Sequence, residues 1–295
     1  MAKHAYLIIT HKIDFTLKTL LSLLDDERND IFLHVDKKTV GFKESDVQGI
    51  VTKGSLHVLK RRQDVRWGHH SCAFVELELL EEATKHGHYD FYHLLSGEDL
   101  PIKSQDYIHD FFDANKGKEF VRFQSETFPF PERMAYYYPF QKYIGKGHKD
   151  GFRGKLTRWE NKILRWQERH NVRRNKDVKF QKGTQWFSIT DELARDLIAF
   201  KSKAKRIFWL TFCADESLVQ TYIVNNPKYI ERLYHKEFDN DMVAIQRLID
   251  WKRGFPYVWR ETDFQEIMDS ELLFARKFDC KVDAEIIKKI AAALS

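Results

Sequence analysis

AYLIITHKIDFTLKTLLSLLDDERNDIFLHVD, residues 5–36, decides the fold class. Ala5 to Thr10 is a short apolar run of buried-strand type. Phe15, Leu17, Leu20, Leu21, Leu23 and Leu24 then follow at helical spacing, and a second apolar run, Ile31 to Val35, stops at Asp36. Strand, helix and strand within about thirty residues make a βαβ unit, which requires a parallel sheet. Working outward, Leu56–Leu59 reads as a third strand. Ser71–Ala83 reads as a helix with Ser71 at its N-cap, and Phe91–Leu95 as a fourth strand ending at Ser96-Gly97-Glu98-Asp99. The expectation is an α/β fold with an open sheet. Ligands of such sheets bind beyond the carboxyl ends of the strands. Asp36, Ser96–Asp99 and the pair Asp215-Glu216 are polar groups at strand ends or turns, and the natural expectation is that they share one cleft.

The second half changes character. Glu119–Phe123 and Gly183–Thr190 are strand-like, a helix opens near Asp191, and a last helix covers Ala284 to Leu294. Between them LTRWENKILRWQERH (156–170) puts Leu156, Trp159, Ile163 and Trp166 on one helical face. There is no internal repeat and no low-complexity linker. One domain over 1–295 is expected, with a nucleotide-binding half of about 1–115 and an acceptor-binding, catalytic half of about 116–295.

The chain has 49 Lys and Arg against 44 Asp and Glu, a formal charge of +5. The excess is local: residues 142–182 hold fourteen basic side chains and four acidic ones. A polyanion, an anionic membrane surface and a plainly solvated helix all suit such a segment. Three scattered cysteines, Cys72, Cys213 and Cys280, argue against a disulfide framework or a zinc site. No run approaches the ~18 apolar residues of a membrane span. Met1-Ala2-Lys3-His4 leads straight into the first strand with no apolar leader, so the expected location is cytoplasmic.

AYLIITHK (5–12), IFLHVDKK (31–38), VRWGHHS (65–71), HLLSGEDLPIKS (93–104), KGTQWFSIT (182–190), CADESLVQT (213–221) and FARKFD (274–279) occur in that order. Together they resemble the family of core-2 and I-branching β-1,6-N-acetylglucosaminyltransferases, which includes peptide O-xylosyltransferases. The likeness runs from about residue 5 to 280. It implies a GT-A-like fold, an open mixed sheet whose N-terminal βαβ half binds nucleotide. It also implies transfer from a UDP-sugar with inversion, no metal and no other cofactor. N-acetylglucosamine or xylose is the expected donor sugar, with glucose or galactose as alternatives. The chain looks like a bacterial-type, cytoplasmic relative acting in surface polysaccharide synthesis. A nucleic-acid-binding protein using residues 142–182 is the remote alternative, and no nucleic-acid partner is expected.

An inverting transfer needs a base for the acceptor hydroxyl and positive charge for the departing diphosphate. The resemblance assigns the base to Glu216, whose plain alternative is a carboxylate complementing a helix N-terminus. It gives the diphosphate to Arg247 and Lys277, with Arg276 as a competitor. It gives the nucleoside to Ile8, His11, Asp36, Trp67 and Gly68, with core packing as the alternative for Trp67. Asp99, with Ser96 and Glu98, should lie beneath the donor sugar or the acceptor. Trp186 could carry a sugar ring or sit in the core, and Glu132, Arg133 and Asp215 complete the acceptor side. Asp239-Asn240-Asp241, the one Asp-x-Asp spelling, reads as a turn, and His69 and His70 as structural. A carbohydrate acceptor held on a lipid, with residues 156–170 lying on the inner membrane face, is the remaining expectation.

Overall fold

The computed structural model describes residues 3–146 and 150–294; Met1, Ala2 and Lys149 of the stretches discussed above lie outside them. Strands β1 (His4–Thr10), β2 (Asn29–Val35), β3 (Ser55–Val58) and β4 (Phe91–Ser96) are parallel, Ile8 standing opposite Leu33 on one side and Leu95 on the other. The sheet continues through β7 (Gly183–Thr190), antiparallel to β4, to β6 (Phe120–Phe123), antiparallel to β7. Its order is β3-β2-β1-β4-β7-β6. The α/β class and the open mixed sheet expected from the sequence are therefore present. Strand order reverses between β1 and β4, so the crevice of this sheet lies beyond Thr10 and Ser96.

Period-two alternation builds both layers. Ala5 and Leu7 of β1 pack with α2 (Ser71–His86), while Tyr6 and Ile8 pack with α1 (Phe15–Leu23). Helices α3 (Gln105–Ala114), α10 (Phe264–Asp269) and α11 (Glu285–Leu294) join the α1 side; α7 (Asp191–Ala199), α8 (Lys201–Phe208) and α9 (Leu218–Val224) join the α2 side. Asp14 caps α1 by accepting from the Leu17 N–H at 3.1 Å. At α2 the expected cap is one residue late. His70 is the cap, and the Ser71 hydroxyl accepts from the Arg66 N–H at 3.0 Å, which fastens the loop ahead of the helix instead.

Two short helices and one long one lie between β6 and β7: α4 (Glu132–Ala135), α5 (Gln141–Ile144) and α6 (Gly151–Arg169), the last spanning the tryptophan-bearing segment. A feature absent from the sequence reading is a small second sheet of β5 (Asp99–Pro101), β9 (Phe274–Arg276) and β8 (Arg247–Ile249). Each strand has three residues, too few to show a period. This sheet sets Asp99 opposite Arg276, and so brings residues from the first and last thirds of the chain to one edge. Among the described residues no helix is long and apolar enough to cross a membrane.

Candidate active site

At the crevice, β4 delivers Ser96-Gly97-Glu98-Asp99 and the end of β9 delivers Arg276 and Lys277. Gly97 is required by contact: a Cβ there would lie 2.4 Å from Thr10 Oγ1. Asp99 is buried, accepting from the Ser96 N–H at 2.8 Å, the Ser96 hydroxyl at 2.9 Å and Arg276 Nη1 at 3.0 Å. Burial pushes its carboxyl above the usual range, and Arg276 and Ser96 only partly offset this. The Arg276 guanidinium also covers the Trp186 ring, 4.4 Å from its centroid. Glu98 takes two ammonium groups, Lys12 and Lys277, each at 2.9 Å, and Lys12 reaches Asp279 at 2.8 Å. Burial alone would raise Glu98; the two lysines outweigh it and hold the carboxyl below its ordinary range. Both lysines keep 28% of their side-chain surface in solvent, so their charge is reachable from the crevice.

Next along the rim, Asp36 at the end of β2 accepts from the Lys38 N–H at 2.8 Å and pairs with Lys38 Nζ at 2.6 Å. Lys38 also reaches Asp64 and the Val65 carbonyl, tying Asp36 to the loop that carries Trp67. The His11 carbonyl, beyond β1, accepts from the Thr39 hydroxyl at 3.0 Å. Trp67 is 47% exposed, its ring edge-on to Phe212. Core packing therefore does not account for it. Gly68 adopts a φ of 71°, and a Cβ on it would strike Phe212 and Gln141 at 2.7 Å.

Glu216 lies across from that loop. The Cys213 N–H donates to the Gly68 carbonyl at 2.8 Å, and Phe212 bridges to His69, so the turn bearing Asp215 and Glu216 is pinned against residues 67–69. Glu216 Oε2 pairs with Arg133 Nη1 and Lys182 Nζ, both at 3.1 Å. Arg133 is in turn sandwiched by Phe130 at 4.1 Å and Phe212 at 5.2 Å. Asp215 turns inward. Burial, reinforced by the charge of Glu216, raises its carboxyl to about 7. The inner carboxyl is shut off from solvent, while Glu216 stands partly in solvent beside its two cations. Lys182 and Trp186 lie four residues apart on and just before β7, roughly 13 Å along an extended chain. That strand thus links the Glu216 group to the Arg276 group.

Two sequence expectations need correction. Ile8 is wholly buried between Leu33 and Leu95, with its side chain in the α1-side core, so it cannot touch a nucleoside. Arg247 is 1% exposed; it donates to the carbonyls of Ile245, Leu94 and Phe187 and lies over the Phe274 ring at 5.1 Å. Burial lowers it to about 10. Its guanidinium braces the two sheets against each other, and direct contact with a diphosphate is closed to it. Trp186, 7% exposed with one face under Arg276, offers little free surface to a sugar ring. Glu132 is exposed on the wall of a groove of about 720 Å³ between α4 and α6, lined also by Tyr136, Tyr138, Arg158, Lys162 and Arg165.

The Asp239-Asn240-Asp241 stretch is a turn. Asn240 has a φ of 71°, Asp239 accepts from the Asp241 N–H at 3.0 Å, and Asp241 caps the following turn through the Val243 N–H at 2.8 Å. His69 and His70 lie tilted against each other and accept from the Ser71 and Leu210 N–H groups; burial lowers them to about 4 and about 3. Among the described residues the three side chains closest to a metal-ligand grouping are Asp14, Asp279 and Cys280, and Asp279 is already engaged by Lys12.

Against known protein families, residues 4–273 match the description Core-2/I-Branching enzyme. The chain belongs to the Core-2/I-Branching enzyme family. Similar curated proteins are the xylosyltransferase sqv-6 of Caenorhabditis elegans, 21% identical over 87% of this chain and 32% of its own length, and the xylosyltransferase oxt of Drosophila melanogaster, 21% identical over 92% and 31%. Xylosyltransferase 2 of Rattus norvegicus is 20% identical over 98% of this chain and 33% of its own length. The chain thus spans about a third of the length of these relatives. The sheet order, the mixed strand directions and the family membership together give a GT-A-like fold. Within the Core-2/I-Branching match stand every rim residue above except Phe274 to Asp279, which follow its end.

Two side chains of the site escaped the sequence reading. Lys12 closes AYLIITHK and Lys182 opens KGTQWFSIT, each at the edge of a motif quoted for its apolar residues. A lysine placed immediately beyond a buried strand, where the crevice lies, was the available signal.

Proposed function

We propose that the chain is a glycosyltransferase that moves a sugar from a UDP-sugar to a hydroxyl of a glycan acceptor, with inversion and without a metal. The acceptor oxygen attacks the anomeric carbon on the face opposite UDP, its proton passes to the Glu216 carboxylate, and the bond to the diphosphate oxygen breaks with its electron pair leaving on UDP. Lys277, Lys12 and Arg276 supply positive charge to that leaving group through charge-assisted hydrogen bonds, the two lysines exchanging Glu98 for phosphate oxygens. This replaces Arg247, which supports the site from beneath. Asp36, His11, Trp67 and Gly68 form the rim for uridine: a carboxylate for the hydrogen-bonding edge and an exposed ring for stacking. Asp99 holds Arg276 under the donor. Arg133, Glu132 and the adjoining groove face the acceptor, with Asp215 behind Glu216. In this division the first half of the chain, about 1–115, binds nucleotide and the remainder completes catalysis.

The observation that carries the proposal is Glu216 set at the crevice rim by two cations and pinned to the Trp67–Gly68 loop. Metal independence is supported by the cations already in place and by the commitment of Asp239 and Asp241 to a turn. Xylose and N-acetylglucosamine are the first donors to test, and the names of the three relatives favour xylose; glucose and galactose are next. A role in bacterial surface polysaccharide synthesis on the cytoplasmic side fits a glycan acceptor. The test is a panel of these four UDP-sugars offered with oligosaccharide acceptors, product configuration read by NMR. A product of inverted configuration supports the proposal, and a retained configuration refutes the single displacement.

A further inference from the structure

Helix α6 fastens itself to the protein in an unusual way. A surface helix ordinarily buries its large apolar side chains and turns its polar ones outward. Here the inward positions are Gly154, Glu160 and Gln167. Gln167 grips the backbone of Tyr137 through both its amide groups, accepting from the N–H at 2.9 Å and donating to the carbonyl at 3.0 Å. Glu160 accepts from the Phe140 N–H at 3.0 Å, and burial pushes its carboxyl up to about 7. Leu156 and Ile163 are half-buried beside them. The aromatic residues are left outside: Phe152, Trp159 and Trp166 are 72%, 58% and 55% exposed. Their spacing of seven residues drifts only about 20° per step on an α-helix, so the three rings form one stripe.

The charges flank that stripe. By helical position Lys155, Lys162 and Arg169 point most directly away from the protein, with Arg158 and Arg165 beyond them toward the groove. Lys162 Nζ lies over the Trp159 ring at 5.0 Å. The two carboxylates of the helix stand elsewhere: Glu160 is buried, and Glu168 lines the groove. A cationic ridge edged by exposed indoles matches one environment in both respects. Anionic headgroups meet the lysines and arginines, and the boundary between headgroups and acyl chains takes the tryptophans.

We propose that α6 is an interfacial membrane helix, seating the protein on an anionic lipid bilayer with Trp159 and Trp166 in the headgroup region. Its inner side holds residues 137–140, and the segment just before them carries Arg133, the partner of Glu216. Docking through α6 therefore sets the acceptor side of the crevice next to the bilayer, where a lipid-held acceptor would be met. The inference does not depend on the sugar-transfer reading, because it is tested by binding alone.

The experiment is co-sedimentation of the full chain with vesicles of phosphatidylcholine containing 30% phosphatidylglycerol, against phosphatidylcholine alone, at low and high salt. Binding should require the anionic lipid and fall steeply with salt. Acyl chains brominated near the headgroup should quench tryptophan emission, and the quenching should shrink in W159F/W166F. Changing Lys155 and Arg169, which lie outside the groove, to Glu should weaken binding by roughly a hundredfold or more, each basic side chain near such a surface being worth about fivefold. An unchanged Tm and unchanged UDP affinity would show that the variant is folded. No binding to anionic vesicles at low salt would overturn the proposal. So would binding without quenching that duplex DNA competes away, since that describes a general polyanion surface with the rings left in water.

Discussion

Replacing Arg276 by Met removes the cation bonded to Asp99 and leaves that carboxylate in the interior. The side chains are 14% and 2% exposed and their atoms are 3.0 Å apart, so the pair is little screened. Removing one partner of a buried pair costs about 3–5 kcal/mol. The lower end applies, because the Ser96 N–H and hydroxyl still donate to Asp99. Loss of the guanidinium from the Trp186 face adds about 1 kcal/mol. At pH 8 the sum is about 4 kcal/mol, or roughly 6 °C in Tm for a chain of this size. The sign of the pH effect follows from Asp99. Burial already holds its carboxyl above the unfolded value, and without Arg276 it moves higher still. A carboxyl raised in the folded state stabilises fully below its unfolded pKa and loses that contribution as pH rises through its folded pKa. The deficit of R276M against the parent should therefore be largest at pH 8 and shrink as the pH falls and Asp99 takes up a proton. Urea unfolding of both proteins at several pH values reads this directly, and D99N should remove the pH dependence of the difference. A deficit that stays the same as the pH falls would refute the reasoning and assign the loss to packing on Trp186.

Other consequences of the same geometry are simpler. Gly97→Ala forces a Cβ against Thr10 Oγ1 and should cost about 1–3 kcal/mol, with weaker UDP binding, measured by denaturation and calorimetry. Arg247→Met should lower stability while the folded protein keeps its UDP affinity within about twofold. Lys277→Ala should do the reverse, with roughly tenfold weaker UDP binding as a charge-assisted bond is lost. The opposite pattern would restore Arg247 to the diphosphate. Transfer should continue in excess EDTA, and an absolute need for added manganese or magnesium would overturn the assignment of the leaving group to Lys277, Lys12 and Arg276.

The first hundred residues are legible because long-period patterns carry them. Runs such as Ala5–Thr10 and Ile31–Val35 and the leucines between them admit one reading, and β1, α1 and β2 follow it. The small sheet is illegible for the opposite reason: Asp99–Pro101, Arg247–Ile249 and Phe274–Arg276 find one another across the whole chain, and no local pattern announces three residues. Arg247 was misplaced on the same account. A motif fixes which residues are near a site, while burial decides whether a guanidinium faces the crevice or the core, and that depends on β8 packing under β4. Trp67 and Trp186 show the limit in miniature. Both are tryptophans in motif segments, yet Trp67 stands on a loop held open by Gly68 and Trp186 lies in a strand beneath Arg276. The tryptophans of α6 are the converse case, since their shared face was evident from spacing while their exposure depended on Gln167 and Glu160 anchoring the other side.

The central claim is that Glu216 takes the proton of the attacking hydroxyl. Glu216→Gln keeps the shape of the side chain, and so the contact with Arg133 and Lys182, but removes the base. Transfer from the best UDP-sugar of the panel should be measured in parallel with UDP binding by calorimetry on the same preparation. The account predicts a fall in kcat of about 10² to 10⁴-fold with UDP affinity nearly unchanged. A variant that retains kcat within about tenfold while binding UDP normally would contradict it and move the base elsewhere in the crevice.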